Sequence, residues 1–304
     1  MFLPQKILEK KLMEILAEDI GQGDITTALI APSGTEAEAA VIAKQQGIVA
    51  GVEETKTLWE SLGLRAESSV NDGEEIEAKQ VLMRVSGDVR TILSTERTAL
   101  NILTRMSGIA TVTRRLVEEL RRVGLQTRIA CTRKTAPGLL YFDKKAVSIG
   151  GGDTHRLHLD DMILIKDNHI AVAGGIEQAV RITKKRASFT KKIEIEVTKA
   201  EDAPTAAKAG ADIIMFDNFS PKQIEKACLL LKKAKLYRRI LTEASGGITA
   251  ENFLDFASAG VDIVSLGEIT SSARTLNMSL EISRINRKAS SSKLGKKRQS
   301  NRPR

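Results

Sequence analysis

Long apolar runs, cysteines and histidines are all scarce in this chain of 304 residues, and each shortage removes a class of explanation. No stretch approaches the roughly 18 consecutive apolar residues that a membrane-spanning helix needs. The segment MFLPQKILEKKLMEIL mixes charges among its apolar residues, unlike a secretory signal, so no membrane partner and a cytoplasmic location are expected. Only two cysteines occur, Cys131 and Cys228, in different segments and without CxxC spacing. They read as reduced packing thiols, not as a disulfide or a zinc set. DIGQGDITT, residues 19–27, has the glycines of a phosphate loop but lacks the GK[ST] ending. A structural turn with N-cap chemistry at Asp24 is the better reading.

Acidic residues are absent from 284–304, which holds nine of the 47 Lys and Arg residues, while the other 38 balance 38 Asp and Glu. The net charge of +9 therefore belongs to a Ser/Lys/Arg-rich tail with too little apolar content to fold alone. A solvated, disordered tail is expected; weak contact with nucleic acid or anionic surfaces is the alternative, and no nucleic-acid partner is expected for the body.

All three histidines that are present fall in one stretch. Between Cys131 and Ile170, His155, His158 and His169 accompany Arg133, Lys134, Arg156 and Lys166 around the glycines Gly150, Gly151 and Gly152. Arg binds carboxylate and phosphate bidentately, so the mixture suits a small polyanion. His155 and His158 stand three apart, but no Cys or carboxylate with structural-zinc spacing accompanies them.

From about residue 126, short β-branched runs (QTRIACT, KAVSIGG, DMILIK, KIEIEV, ADIIMF, RRILTEA, VDIVSLG) alternate with amphipathic stretches. Such alternation predicts parallel strands joined by helical crossovers, with seven strands, enough for a barrel-like sheet. Periodicity alone leaves an open doubly wound sheet possible. Polar residues fall after the strands: Thr132, Arg133 and Lys134; Lys166 and Asp167; Glu196; Asp217; Ser245, Gly246 and Gly247; then Leu266, Gly267 and Glu268 of SLGE. In α/β barrels that rim binds ligands, with phosphate in the last loops. Glu194 and Glu196 face one side of a strand, and either could be solvated. Glu196 near Asp217 would make an oxygen site for Mg²⁺. Residues 1–108 read as a separate α+β domain, 109–283 as the barrel and 284–304 as the tail. Gly108 is expected to break the helix between the domains.

Taken together, EDIGQGDITT, ERTALNILTRMSGIAT, TRKTAPG, GGGDTHR, LIKDNHI, IEIEVT, ADIIMFDNFSP, EASGGI and SLGEITSSA resemble quinolinate phosphoribosyltransferase in order and spacing. The resemblance implies an amino-terminal α+β sandwich domain and an incomplete, seven-stranded α/β barrel. It implies transfer of phosphoribose from phosphoribosyl pyrophosphate to quinolinate, giving nicotinate mononucleotide, pyrophosphate and CO₂ with Mg²⁺. By resemblance Arg133, His155, Arg156 and Lys166 would hold quinolinate, joined by Arg97 from the partner in a homodimer or higher even oligomer with shared sites. Lys134, Asp167 and His169 would lie by pyrophosphate, Glu196 and Asp217 would hold Mg²⁺ and ribose, and Ser245, Gly246, Gly247 and Gly267 would take the 5′-phosphate. A transferase using nicotinate would need fewer cations, and a pure anion-binding protein would gain nothing from Glu196 and Asp217.

Overall fold

The computed structural model describes residues 3–286. Its amino-terminal part runs α1 (Gln5–Ile20), α2 (Ile25–Ile30), β1 (Glu36–Ala43), β2 (Gly47–Ile48), α3 (Val52–Ser61), β3 (Arg65–Ser68), β4 (Glu75–Ile76) and β5 (Val81–Asp88), then α4 (Val89–Arg122). Leu8, Leu12 and Leu16 repeat every four residues, so one face of α1 is buried. Asp24 accepts the Thr27 N–H at 2.9 Å, capping α2. In α3, Trp59 is fully buried and its indole N–H donates to Thr95 of α4 at 3.1 Å.

The second part runs β6 (Arg128–Cys131), α5 (Leu140–Ile149), β7 (Ile163–Ile165), α6 (Asp167–Ala173), α7 (Ile176–Arg186), β8 (Ile193–Val197), α8 (Asp202–Ala209), β9 (Ile213–Asp217), α9 (Pro221–Lys233), β10 (Leu241–Ser245), α10 (Phe253–Ser258), β11 (Ile263–Leu266), α11 (Glu268–Ser271) and β12 (Met278–Asn286). Among the described residues, six parallel strands pair in the order β6-β11-β10-β9-β8-β7. Sequential β–α units bury Ile193, Ile195, Val197, Ile214 and Phe216. The result is an incomplete α/β barrel beside an amino-terminal α+β domain.

Three expectations change. KAVSIGG is not a strand: its residues close α5, and the seventh sheet position is reduced to a single parallel bridge between Ala130 and Asp153. Gly150, Gly151 and Gly152 follow immediately, and Thr113 of α4 packs so closely on Gly150 and Gly152 that this stretch is a tight passage. The barrel also ends earlier than residue 283. Met278–Asn286 returns to the first domain as an antiparallel partner of β1, giving the sheet order β12-β1-β5-β3. That pairing covers β1 along its whole length, including the first residues assigned to the tail; 287–304 lie outside the described residues.

Gly108 does not break a helix, since α4 is continuous over 34 residues. The glycine is there for space. A Cβ would lie 1.7 Å from the carbonyl oxygen of Arg274, in the segment that crosses α4 on its way to β12.

Two adjacent lysines on α5 tie the parts together because neighbours on a helix point about 100° apart. Lys145 reaches Glu54 of α3 at 2.7 Å and also pairs with Glu53, while Lys144 turns into the barrel. Burial alone would lower the Lys145 pKa, yet Glu54 and Glu53 raise it.

Because the obstacle at Gly108 is backbone, Gly108→Ala should cost about 3 kcal/mol or more in a urea-unfolding measurement. A loss under about 1 kcal/mol would mean that the crossing segment simply moves aside.

Candidate active site

The carboxyl ends of the parallel strands converge on a cavity of about 410 Å³. Thr132, Arg133 and Lys134 leave β6, Lys166 follows β7, Glu196 lies on β8, Asp217 ends β9, and Ser245, Gly246 and Gly247 leave β10. His155 and Arg156 enter from the loop after the Asp153 bridge, and Glu243 and Ser265 form part of the floor. Arg97, Asp167, His169, Leu266, Gly267 and Glu268 do not line it. A second cleft, of about 380 Å³ between α4 and the start of β6, brings Arg121 and Arg128 to the single carboxylate of Asp153.

Three of the residues outside the lining hold the loops that form it. His169 Nδ1 accepts the Lys166 amide at 2.9 Å, Glu268 accepts the Ala250 amide, and Gly267 rests against the Lys134 and Thr132 side chains. Arg97 is exposed on α4. His158 is exposed too, away from the buried ligand atoms around His155.

Several supporting residues carried no signal strong enough to find in the sequence. Thr270 donates to the carbonyl of Lys134 at 2.8 Å, and Arg105 donates to the carbonyl of Thr270 at 2.9 Å while gripping buried Asp143 at 2.7 and 2.8 Å. The TRKT turn is thereby tied to α4 and α5. Gly246 and Gly247 are both left-handed (φ 93° and 65°), making a concavity of the sort that takes phosphate. A Cβ on Gly246 would lie 2.3 Å from Asn218 Oδ1 and 2.9 Å from the Asn218 amide nitrogen, so only glycine fits.

Charge is balanced unevenly. Lys166 donates to Glu196, leaving Arg133 and Arg156 facing the cavity with no carboxylate hydrogen bond among the described residues. Burial, then the charge of Arg133, pushes the Arg156 pKa down, a sign of cations held close enough to repel.

Beneath them lies a buried cluster. Glu194 and Glu243 come from alternate strands, β8 and β10, whose inward side chains share a barrel layer. His155 Nε2 is 3.2 Å from Glu243 and 3.4 Å from Glu194, both fully buried. Burial opposes charge on His155, but hydrogen bonds and charge from the two glutamates raise its pKa to about 10. Burial raises Glu194 as well. These shifts belong to the cluster, which holds one more proton than its parts would separately. Glu194 was visible in the sequence as the neighbour of Glu196 but was not assigned to the site; the signal for Glu243 was a lone acid within RRILTEA.

The family model for the quinolinate phosphoribosyl transferase N-terminal domain matches residues 24–107, and that for the C-terminal domain matches 109–281. A probable nicotinate-nucleotide pyrophosphorylase (carboxylating) of Methanocaldococcus jannaschii is 46% identical over 281 residues, covering 92% of this chain and 97% of the relative. The probable enzyme of the same name from Methanothermobacter thermautotrophicus is 44% identical over 271 residues, 89% of this chain and 97% of the relative. The crystal structure of NadC from Streptococcus pyogenes superposes with a TM-score of 0.84 at 34% identity, covering 94% of this chain and 99% of that one.

The buried cluster also sets a pH dependence. An unfolded imidazole releases its proton near pH 6.5, whereas the folded cluster keeps the extra proton to about pH 10. The stability it contributes is complete below pH 6.5 and lost as pH rises towards 10. In urea unfolding, the advantage of wild type over Glu243→Gln should therefore shrink across that interval. A difference that stays constant with pH would show that folding leaves the cluster's proton affinity unchanged.

Proposed function

The chain belongs to the quinolinate phosphoribosyl transferase family, and from that premise we propose how its cavity carries the reaction. The enzyme transfers phosphoribose from phosphoribosyl pyrophosphate to quinolinate, with decarboxylation to nicotinate mononucleotide in NAD biosynthesis. One observation carries the reading of the site: Arg133, Arg156 and Lys166 share a single cavity with Glu196 and Asp217. A dicarboxylate needs the first set, and a sugar that gains positive charge needs the second.

Arg133, Arg156 and Lys166 receive the two carboxylates of quinolinate, orienting its ring nitrogen towards ribose C1′. As the bond to pyrophosphate lengthens, Glu196 and Asp217 steady positive charge on the ribose and Lys134 meets the leaving group. The loop Ser245, Gly246 and Gly247 takes the 5′-phosphate at its left-handed concavity. Ribosylation leaves a positive charge on the ring nitrogen, so as CO₂ departs the electron pair of the broken C–C bond stays on the adjacent ring carbon, stabilised by that charge, and a proton from water then takes the place of CO₂. No covalent enzyme intermediate is needed.

Glu196 and Asp217 present carboxylate oxygens to the cavity from adjacent strands, a donor set suited to a hard cation. They would hold Mg²⁺, which supplies neutralisation of the pyrophosphate charge. Exposure of Arg97 outside its own chain's cavity lining supports its assignment to the site of a partner in a homodimer. Both cysteines are free and buried, which supports a reducing, cytoplasmic setting.

Incubation with quinolinate, phosphoribosyl pyrophosphate and Mg²⁺ should yield nicotinate mononucleotide and CO₂, with nicotinate a poor substitute. Efficient use of nicotinate instead would reverse the substrate reading. Glu196→Ala and Asp217→Ala should each lower turnover by about two to three powers of ten while remaining folded. Near-normal turnover would remove the residue from the mechanism.

Arg97→Ala should be inactive alone, yet mixing it with inactive Glu196→Ala and allowing subunit exchange should restore about a quarter of wild-type sites in a symmetric dimer. Activity at background, with exchange verified, would place Arg97 in its own subunit's site or outside the chemistry.

A further inference from the structure

The TRKT turn leaves β6 and Lys166 leaves β7, strands that pair with a neighbour over several residues, whereas Thr154, His155 and Arg156 follow a single bridge. That bridge consists of the Asp153 amide donating to the Ile129 carbonyl at 2.7 Å and the Cys131 amide donating to the Asp153 carbonyl at 3.2 Å. Beyond it, among the described residues, Thr154, His155 and Arg156 make no backbone-to-backbone hydrogen bond. His155 is also in the left-handed region, with φ 51°, a conformation that persists in a non-glycine residue only where its surroundings hold it. The sheet does not hold this stretch, although it carries two lining residues of the cavity.

A buried lysine meets it instead. Lys144 is fully buried, and its Nζ donates to the carbonyl of Thr154 and, at 3.3 Å, to that of Arg156, bracketing His155. An ammonium offers several donors and no acceptor, which suits two carbonyls that converge on one point. Lys145, the next residue, pairs with Glu53 and Glu54, but among the described residues Lys144 pairs with no carboxylate. Burying a cation in that way is costly, and an apolar side chain of the same length would fill the space without the cost. The donors, not the bulk, are what the position requires.

The helix that presents Lys144 is itself fixed on either side of it. Asp143 is gripped by Arg105 of α4 at 2.7 and 2.8 Å, and Lys145 reaches Glu54 of α3 at 2.7 Å. At the end of α5, Arg114 donates to the carbonyls of Ile149 and Gly150 at 3.3 and 3.2 Å. Three consecutive buried residues of α5 thus point to α4, to the loop and to α3, since neighbours on a helix diverge by about 100°.

We propose that Lys144 is a positioning residue for substrate binding: it takes the place of the seventh strand's missing hydrogen bonds and sets the backbone from which His155 and Arg156 reach quinolinate. Lys144 does not line the cavity, so it acts through those two residues. The proposal rests on the reading that they hold quinolinate.

Lys144→Met keeps the length of the side chain and removes its donors. The quinolinate KM should rise about tenfold or more, with a smaller fall in kcat, while KM for phosphoribosyl pyrophosphate should change less than about threefold because its ligands lie on other loops. An unchanged quinolinate KM in the folded variant, or equal rises for both substrates, would overturn the proposal.

Hydrogen exchange read by mass spectrometry gives a second measurement, which needs no variant to fold. In substrate-free wild-type protein, the amides of 154–156 should exchange about tenfold or more slowly than those of the exposed segment 158–161. Equal rates would show that the loop is not held and would refute the role of Lys144, as would unchanged protection of 154–156 in a folded Lys144→Met protein. Wild-type turnover of quinolinate tests the substrate reading by itself. Exchange reports on the loop whichever way that result falls, so the two failures are told apart.

Discussion

Arg133, Lys134, Arg156 and Lys166 surround one small cavity, and like charges gathered so closely drive each other apart unless negative charge shares their field. The barrel supplies that charge in two tiers. Glu196 pairs with Lys166 at the rim, and Glu194 and Glu243 sit below with His155. The compensation is partial, since Arg156 still feels Arg133. A bound polyanion would complete it, so the carboxylates hold the cations together while leaving the cavity biased towards an anionic ligand.

This arrangement requires polar residues where a barrel would ordinarily pack apolar ones. Glu194 and Glu243 are fully buried, and several of their oxygens accept no hydrogen bond among the described residues. Leaving such groups in the interior costs stability. Apolar packing elsewhere offsets the cost, chiefly where helices cover the outer sheet face with residues such as Val180, Ala203, Ile224 and Leu231.

The long helix α4 gives the loops a common support. It contacts α3 through Thr95 and Trp59, α5 through Arg105 and Asp143, and the segment before β12 through Gly108. The amino-terminal sheet is completed by a strand from the far end of the chain, so the two parts are joined by the helix and by β12. The Arg105–Thr270–Lys134 hydrogen bonds carry that support to the TRKT turn.

Local pattern was enough to identify the α/β alternation, the amino-terminal domain, the Asp24 cap and the cation-rich loops, because period, turn chemistry and charge are properties of neighbouring residues. It was enough to place Glu196 and Asp217 at strand ends for the same reason. It misread KAVSIGG because β-branched residues at the close of a helix look like a strand when the neighbouring α4 cannot be seen. It misread Gly108 because a glycine needed for close approach has the same letter as one that ends a helix. The return of β12, the pairing of Glu194 with Glu243, and the approach of both glutamates to His155 Nε2 join residues far apart in the chain. Only the closed sheet and its packed helices decide those distances, and with them which charged groups face the substrate and which hold the others in place.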